Sequence, residues 1–252
     1  SREMKLVLQE ASVIGRAFGY DVLKRISRIR EDIDGYLQGL ERLDIIRTMT
    51  LQPELEYMFK HALTQEVVYT GLLRKERQEI HERIGTVMEQ IFQERLPEFY
   101  EMLAFHFKQG RSVLKAVHYL MKSGEKSLNR FAVEQAHQYY KEALDLLNVK
   151  TDRTAHNDRL LIQLLLDWAF VFYYRADWKG FETLLEKYET LAQSLGDKAL
   201  LGMFYAWFGF SDVCRDKYRQ SYQHLKIALK LGEEINDLRV IGYACTWLAW
   251  CC

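Results

Sequence analysis

A shift of 40 residues lays Leu165, Trp168, Ala169 and Phe172 over Tyr205, Phe208, Gly209 and Asp212, and these in turn over Cys245, Leu248, Ala249 and Cys252. The 3, 1, 3 spacing puts the four positions on one face of an α-helix. The third is small in each copy (Ala169, Gly209, Ala249), so a neighbouring helix can approach closely. Self-similarity at this period confines the chain to folds that stack one supersecondary unit on the next. The connections repeat as well. Leu195-Gly196-Asp197 lies over Ile235-Asn236-Asp237, each a Gly or Asn helix stop followed by an Asp cap. Asp177-Trp178-Lys179 and Lys217-Tyr218-Arg219 mark a turn inside each unit, so a unit is two antiparallel helices.

Composition points the same way. Only Pro53 and Pro97 interrupt 252 residues rich in helix formers, which predicts a mainly α fold. Lys plus Arg equals Asp plus Glu at 35 each, so no overall field draws the chain to nucleic acid or to an anionic membrane. The most apolar stretch, Leu160 to Tyr174, is broken by Gln163 and Asp167, and no membrane span is predicted. The start at Ser1 has no signal-peptide pattern. Cys214, Cys245, Cys251 and Cys252 have no zinc-site spacing and read as reduced packing residues. The expected setting is cytoplasmic.

The repeats resemble tetratricopeptide repeats. Ser221, Leu225 and Ala228 show the small, large, small spacing of that family's second helix. Ala136, Tyr140 and Ala143 show it after Leu120, Ser123 and Gly124, giving a repeat over Val117 to Val149. In the middle unit Phe181, Leu185 and Tyr188 replace both small residues with bulky ones, which predicts a splayed or locally irregular pair. The sequence stops partway into a further first helix. Trp247-Leu248-Ala249-Trp250 is not the polar cap that closes an array, so a truncated array with a face open to self-association is expected.

Upstream, helical patterns cover Lys5 to Ile14, Tyr20 to Ser27 and Asp32 to Leu43. Gly15 to Gly19 reads as a loop between helices. Ile45 to Met49 and Leu55 to Phe59, separated by Gln52-Pro53-Glu54, read as a hairpin. Three helices and a hairpin make a winged-helix-like module over residues 1–75, followed by connecting helices over 76–116 and an α-α superhelix of tetratricopeptide-like repeats over 117–252. The helix that would enter a DNA groove carries Asp32, Asp34 and Glu41, with Asp44 just beyond, and phosphate repulsion opposes that use.

The string Phe59-Lys60-His61-Ala62-Leu63, continued by Val67, Val68, Tyr69, Leu72 and Leu73, and the earlier Ala11-Ser12-Val13-Ile14-Gly15-Arg16-Ala17-Phe18, resemble the region after the nucleotide-binding module of signal-transduction ATPases with numerous domains (STAND). These include proteins attached to class III adenylate cyclases and maltose-regulator-type activators. The resemblance implies an upstream ATPase core, ATP or ADP in the whole protein, and a repeat array that senses a protein, a peptide or a small effector. In such regulators a Met-His-Asp motif sets its histidine against the β-phosphate of ADP. His61 matches that histidine by position, while Ala62 replaces the Asp and Lys60 stands where Arg is frequent. The alternative is that His61 caps or packs the start of a helix.

No glycine-rich phosphate loop with Lys and Ser or Thr is present, so no catalysis is expected of this chain. Asp32-Ile33-Asp34-Gly35 fails the calcium-loop pattern. His81, His106, His118, His137 and His224 lie at scattered helical positions, with surface or boundary roles expected rather than metal. Glu76, Glu79 and Glu82 interleave with Lys75, Arg77 and Arg83 as mutual partners. Trp168, Tyr173 and Tyr174 are the candidates for a partner groove on the repeats. A non-catalytic regulatory and interaction region leads. A free-standing peptide-binding adaptor is the alternative, and a DNA-binding regulator ranks third.

Overall fold

The computed structural model of the chain describes residues 1–29, 32–50, 54–149 and 154–250. Thirteen α-helices and three short strands lie among them, in two compact units, residues 1–119 and 120–252.

The first unit opens with α1 (Arg2–Ile14), whose N-terminus is capped by the Ser1 hydroxyl accepting from the Met4 amide. Strand β1 (Ala17–Gly19), α2 (Tyr20–Ile26), α3 (Ile33–Arg42), β2 (Ile46–Thr50) and β3 (Glu56–Phe59) follow. The strands form an antiparallel sheet in the order β1-β3-β2, with Phe18 opposite Tyr57 and Ile46 opposite Phe59. The Gly15 to Gly19 stretch is therefore not simply a loop. Three residues are too few for a period-2 pattern to register, and pairing to β3 is what makes Ala17–Gly19 a strand. Phe18 and Phe59 pack their rings at 5.7 Å beneath the sheet. The centre of the expected hairpin connection, residues 51–53, lies outside the described residues.

Helices α4 (Ala62–Thr70), α5 (Arg74–Ile91) and α6 (Leu96–Gln109) complete this unit, and α7 (Val113–Asn129) begins in it. On α5 the expected mutual charge partners look elsewhere. Arg83 pairs with buried Glu10 at 3.0 Å, Glu79 meets Arg28 and Arg111, and Glu82 accepts from Ser112 and from the Arg111 amide. For Arg83 the tertiary partner wins because Glu10 is buried, where a charge pair is worth more than on an open helix face.

The second unit continues with α8 (Val133–Val149), α9 (Ala155–Arg175), α10 (Trp178–Ser194), α11 (Lys198–Val213), α12 (Tyr218–Ile235) and α13 (Leu238–Leu248). Trp178 and Tyr218 open α10 and α12, and Lys198 and Leu238 open α11 and α13, so the 40-residue register is kept in both helices of the pair. Asp177, Asp197 and Asp237 cap α10, α11 and α13 by accepting from the amides of Gly180, Leu200 and Val240. One turn recurs four times. Phe131, Ala176, Asp216 and Asn236 each take a left-handed conformation, with φ of 58°, 51°, 59° and 54°. The next amide in each case reaches back five residues: Ala132 to Ser127, Asp177 to Phe172, Lys217 to Asp212 and Asp237 to Gly232. That is the Schellman closure of a helix C-terminus.

The seam residues Leu165, Trp168, Ala169 and Phe172, like Tyr205, Phe208, Gly209 and Asp212, are buried. In the third copy Cys245 and Ala249 are exposed. Cys245 is thus not the packing residue expected, and Cys251 and Cys252 lie outside the described residues. The backbones of α9 and α10 stand further apart than those of α11 and α12. Phe181 stacked on Phe172 at 4.9 Å fills the first interface, whereas Gly209 lets Ser221 and Leu225 close the second. The middle pair is widened, as its bulky residues predict, but both of its helices are continuous.

Candidate binding cleft

In the second unit, α7, α9, α11 and α13 share one face, and between them lies a cleft of about 550 Å³. This is within the range of roughly 300–1,000 Å³ usual for ligand sites. Apolar walls come from Leu128, Leu166, Phe170, Met203 and Trp207, with Phe170 edge-to-face on Trp207 at 5.0 Å. Polar groups converge from four elements. Lys122 pairs with Glu125 at 2.9 Å along α7, and Arg159 on α9 pairs with the α11 cap Asp197. Gln163 donates to the Asp167 carboxylate at 2.8 Å. Burial pushes the Asp167 carboxyl above its ordinary value, and Glu125 adds to this. The Gln163 hydrogen bond, Lys122 and Arg239 oppose it without cancelling it. Tyr140 from α8 reaches the same cleft. It is 2% exposed, its hydroxyl has no hydrogen-bond partner among the described residues, and burial raises its pKa.

None of the three aromatic residues expected at a groove lines this cleft. Trp168 is 3% exposed and packs among His137, Tyr140 and Phe172. Tyr173 and Tyr174 are about half exposed at the end of α9, where Tyr173 meets Trp178 and Phe210, and Tyr174 meets Phe131 edge-to-face. They form an aromatic ledge beside the intra-pair turns. Position on the helix decides this. Arg159, Gln163, Asp167 and Phe170 run along one side of α9, and Leu165, Trp168, Ala169 and Phe172 along the seam. The readable signal was Gln163 and Asp167, two polar residues four apart that interrupt the most apolar stretch of the chain.

In the first unit His61 occupies the N-cap of α4 but makes no side-chain cap bond. It is exposed and borders an open hollow with Leu63, Thr64, Val67 and Val68, while Lys60 beside it pairs with Asp44. No residue of α4 is buried. Elsewhere in this unit the surface or boundary role expected of His81 and His106 is overturned. Both are 1% exposed and face each other inside it. Asp32 of the calcium-like string caps α3 by accepting from the Gly35 amide. Among the described residues no group of three or more His, Cys, Asp or Glu could hold a metal ion, and no helix is long and apolar enough to cross a membrane.

No known family model matches the chain. Over 92 residues it is 35% identical to an uncharacterized protein of Rhizobium meliloti. The match takes in 36% of this chain and 9% of that much longer relative. The apo form of RapI aligns over 92% of the chain and 56% of its own length, with a TM-score of 0.54 at 11% identity. That likeness establishes a helical-repeat fold. A STAND protein with a tetratricopeptide repeat sensor from Pyrococcus horikoshii aligns over 100% of the chain and 47% of its own length, with a TM-score of 0.45 at 13% identity.

Proposed function

We propose that this chain is a non-catalytic regulatory region of a multidomain signalling ATPase, in which the repeat array binds a protein or peptide partner. The observation that carries the reading is the cleft lined by successive first helices. It joins apolar walls to convergent polar groups, the composition of a binding site rather than of a packed seam. That the matched segment is 9% of its relative's length supports a role inside a much larger protein. In this reading residues 1–75 form a winged-helix-like module. The exposure of the apolar face of α4, with Leu63 and Val67 some two-thirds exposed and His61 exposed beside them, supports docking of a nucleotide-binding core there, with His61 toward the β-phosphate of its ADP. Partner binding then shifts an equilibrium between docked and released states. The exposed ledge of Tyr173 and Tyr174 offers the partner a second contact.

Phage selection of peptides on the 252-residue chain tests the array's role. Enriched peptides should bind saturably and lose affinity when the half-exposed Phe170 is changed to Ala. A selection that enriches nothing overturns the reading. ATP turnover by this chain alone would overturn the non-catalytic assignment. In the whole ATPase, His61→Ala should speed release of a fluorescent ADP analogue, and unchanged release would remove the nucleotide role. A free-standing peptide-binding adaptor rests on the same cleft and predicts peptide binding with no effect of any nucleotide-binding core.

A further inference from the structure

We propose that the cleft of the repeat array seats a peptide through one lysine or arginine side chain, its cation held between the Asp167 carboxylate and the Tyr140 hydroxyl. The inference rests on the peptide-binding reading of this face and narrows it to a class of ligand.

The charges of the cleft are already matched except at two places. Lys122 with Glu125 and Arg159 with Asp197 neutralise each other. Among the described residues Asp167 has one oxygen on the Gln163 amide and no cation in an ion pair, and Arg239 makes no ion pair. The two differ in surroundings. Arg239 is exposed, and water satisfies it; Asp167 is half-buried, burial already opposes its charge, and a carboxylate that loses more water without gaining a cation is costly. Glu125 makes its position worse, while Lys122 and Arg239 act against this without bringing the carboxyl back to its ordinary value.

Tyr140 is a second, independent sign. Tyr140 is almost wholly buried, yet its hydroxyl faces the cleft with no hydrogen-bond partner among the described residues, which leaves it open to a ligand group that displaces water there. With its phenol held neutral by burial, it can accept a hydrogen bond from an ammonium or guanidinium that also reaches Asp167. Phe170 and Trp207 on the adjoining wall suit the apolar stem of such a side chain and can add attraction to its cation. A free anion is disfavoured by the same two carboxylates, Asp167 and Glu125. An apolar side chain would leave Asp167 and Tyr140 buried and unmatched, which is the costly outcome.

The test uses the whole chain and four fluorescein-labelled hexapeptide pools. One central position is fixed as Lys, Arg, Met or Glu, the others are randomised, and binding is read by fluorescence polarisation. The Lys and Arg pools should bind about tenfold more tightly than the Met pool, with the Glu pool weakest. Asp167→Asn should bring the Lys pool to the level of the Met pool without lowering the melting temperature, since it removes a half-buried charge that burial disfavours. Tyr140→Phe, which deletes a hydroxyl with no partner among the described residues, should weaken the Lys pool several-fold and leave the Met pool unchanged. Met or Glu pools equal to the Lys pool, or a preference that survives Asp167→Asn, would overturn the cation site while leaving peptide binding standing. If no pool binds saturably, both fall.

Discussion

The Nδ1 atoms of His81 on α5 and His106 on α6 stand 2.9 Å apart in the interior of the first unit, and the Tyr69 hydroxyl lies 3.2 Å from His81 Nε2. One imidazole donates across the short contact and the other accepts, which requires the accepting ring to be neutral. Burial holds His81 down to about 4, with the Arg77 charge contributing, and holds His106 down to about 3, with His81 contributing. Both folded values lie below the ordinary histidine value of 6.5. The unfolded chain therefore binds more protons below that value, and stability is full above it and lost as pH falls toward 4. The loss should be on the order of 2 kcal/mol per histidine between about pH 6.5 and pH 5. Urea denaturation followed by circular dichroism at about pH 7 and pH 5 measures it. His106→Gln should flatten that dependence, and an unchanged pH profile in this variant would assign the acid sensitivity to other groups.

Gly209 lies where α11 packs tightly on α12. A Cβ there would lie 2.5 Å from Leu225 Cγ and 3.2 Å from the Ser221 carbonyl oxygen. Backbone is part of the obstruction, so it cannot swing aside, and Gly209→Ala should destabilise by about 1–3 kcal/mol. Gly242 on α13 is the control: a Cβ there meets nothing within 4 Å. Gly242→Ala should stabilise by roughly 0.5–1 kcal/mol through helix propensity alone. Thermal melts of the two variants should move in opposite directions. A Gly209→Ala melt equal to wild type would show that the two helices can move apart at little cost.

The repeat was legible because it rests on period and caps, both of which are local. The 40-residue register, the Asp caps at 197 and 237, and the small residue at 209 all do in the structure what their spacing predicts. What sequence could not show were pairings over long distances. Strand β1 exists only through β3, and Arg83 finds Glu10 across 73 positions. His81 and His106 meet across 25 positions, with no spacing to signal it. The cleft left one sign, Gln163 and Asp167 breaking the apolar run of α9, which served only to argue against a membrane span; that Tyr140 from α8 would face them depends on how the pairs stack. Aromatic density led to Trp168, Tyr173 and Tyr174, because bulk marks packing surfaces and ligand walls alike.

The recurrent Schellman turn is made without glycine. Ala176 holds φ at 51° and is exposed, with its amide bonded to the Tyr173 carbonyl at 3.1 Å. A left-handed non-glycine residue costs about 1–2 kcal/mol, and the extra unfolded-state freedom of glycine returns about half of that. Ala176→Gly should therefore raise stability by roughly 0.5–1 kcal/mol, read as a higher melting temperature. Asp216→Gly should gain less, since it also removes the acceptor of the Tyr218 hydroxyl at 3.0 Å. A lowered melt for Ala176→Gly would mean that the turn is not strained.

Glu182 on α10 is 4% exposed, and two cations from the α11–α12 turn, Arg215 and Lys217, close on its two oxygens. The contact ties one helical pair to the next through a charge that has left water. Its two partners keep about a third of their side-chain surface, so their charges are partly hydrated and screened. Removing the acid alone strands two cations beside a buried site. Glu182→Gln should then cost about 2–3 kcal/mol, somewhat below the cost of breaking a fully buried pair. Replacing the whole triad, Glu182→Leu with Arg215→Met and Lys217→Met, should cost far less than the single change, because no uncompensated charge is left. Urea midpoints for the single and triple variants decide it. A triple variant less stable than Glu182→Gln would show that the ions contribute more than their desolvation takes away.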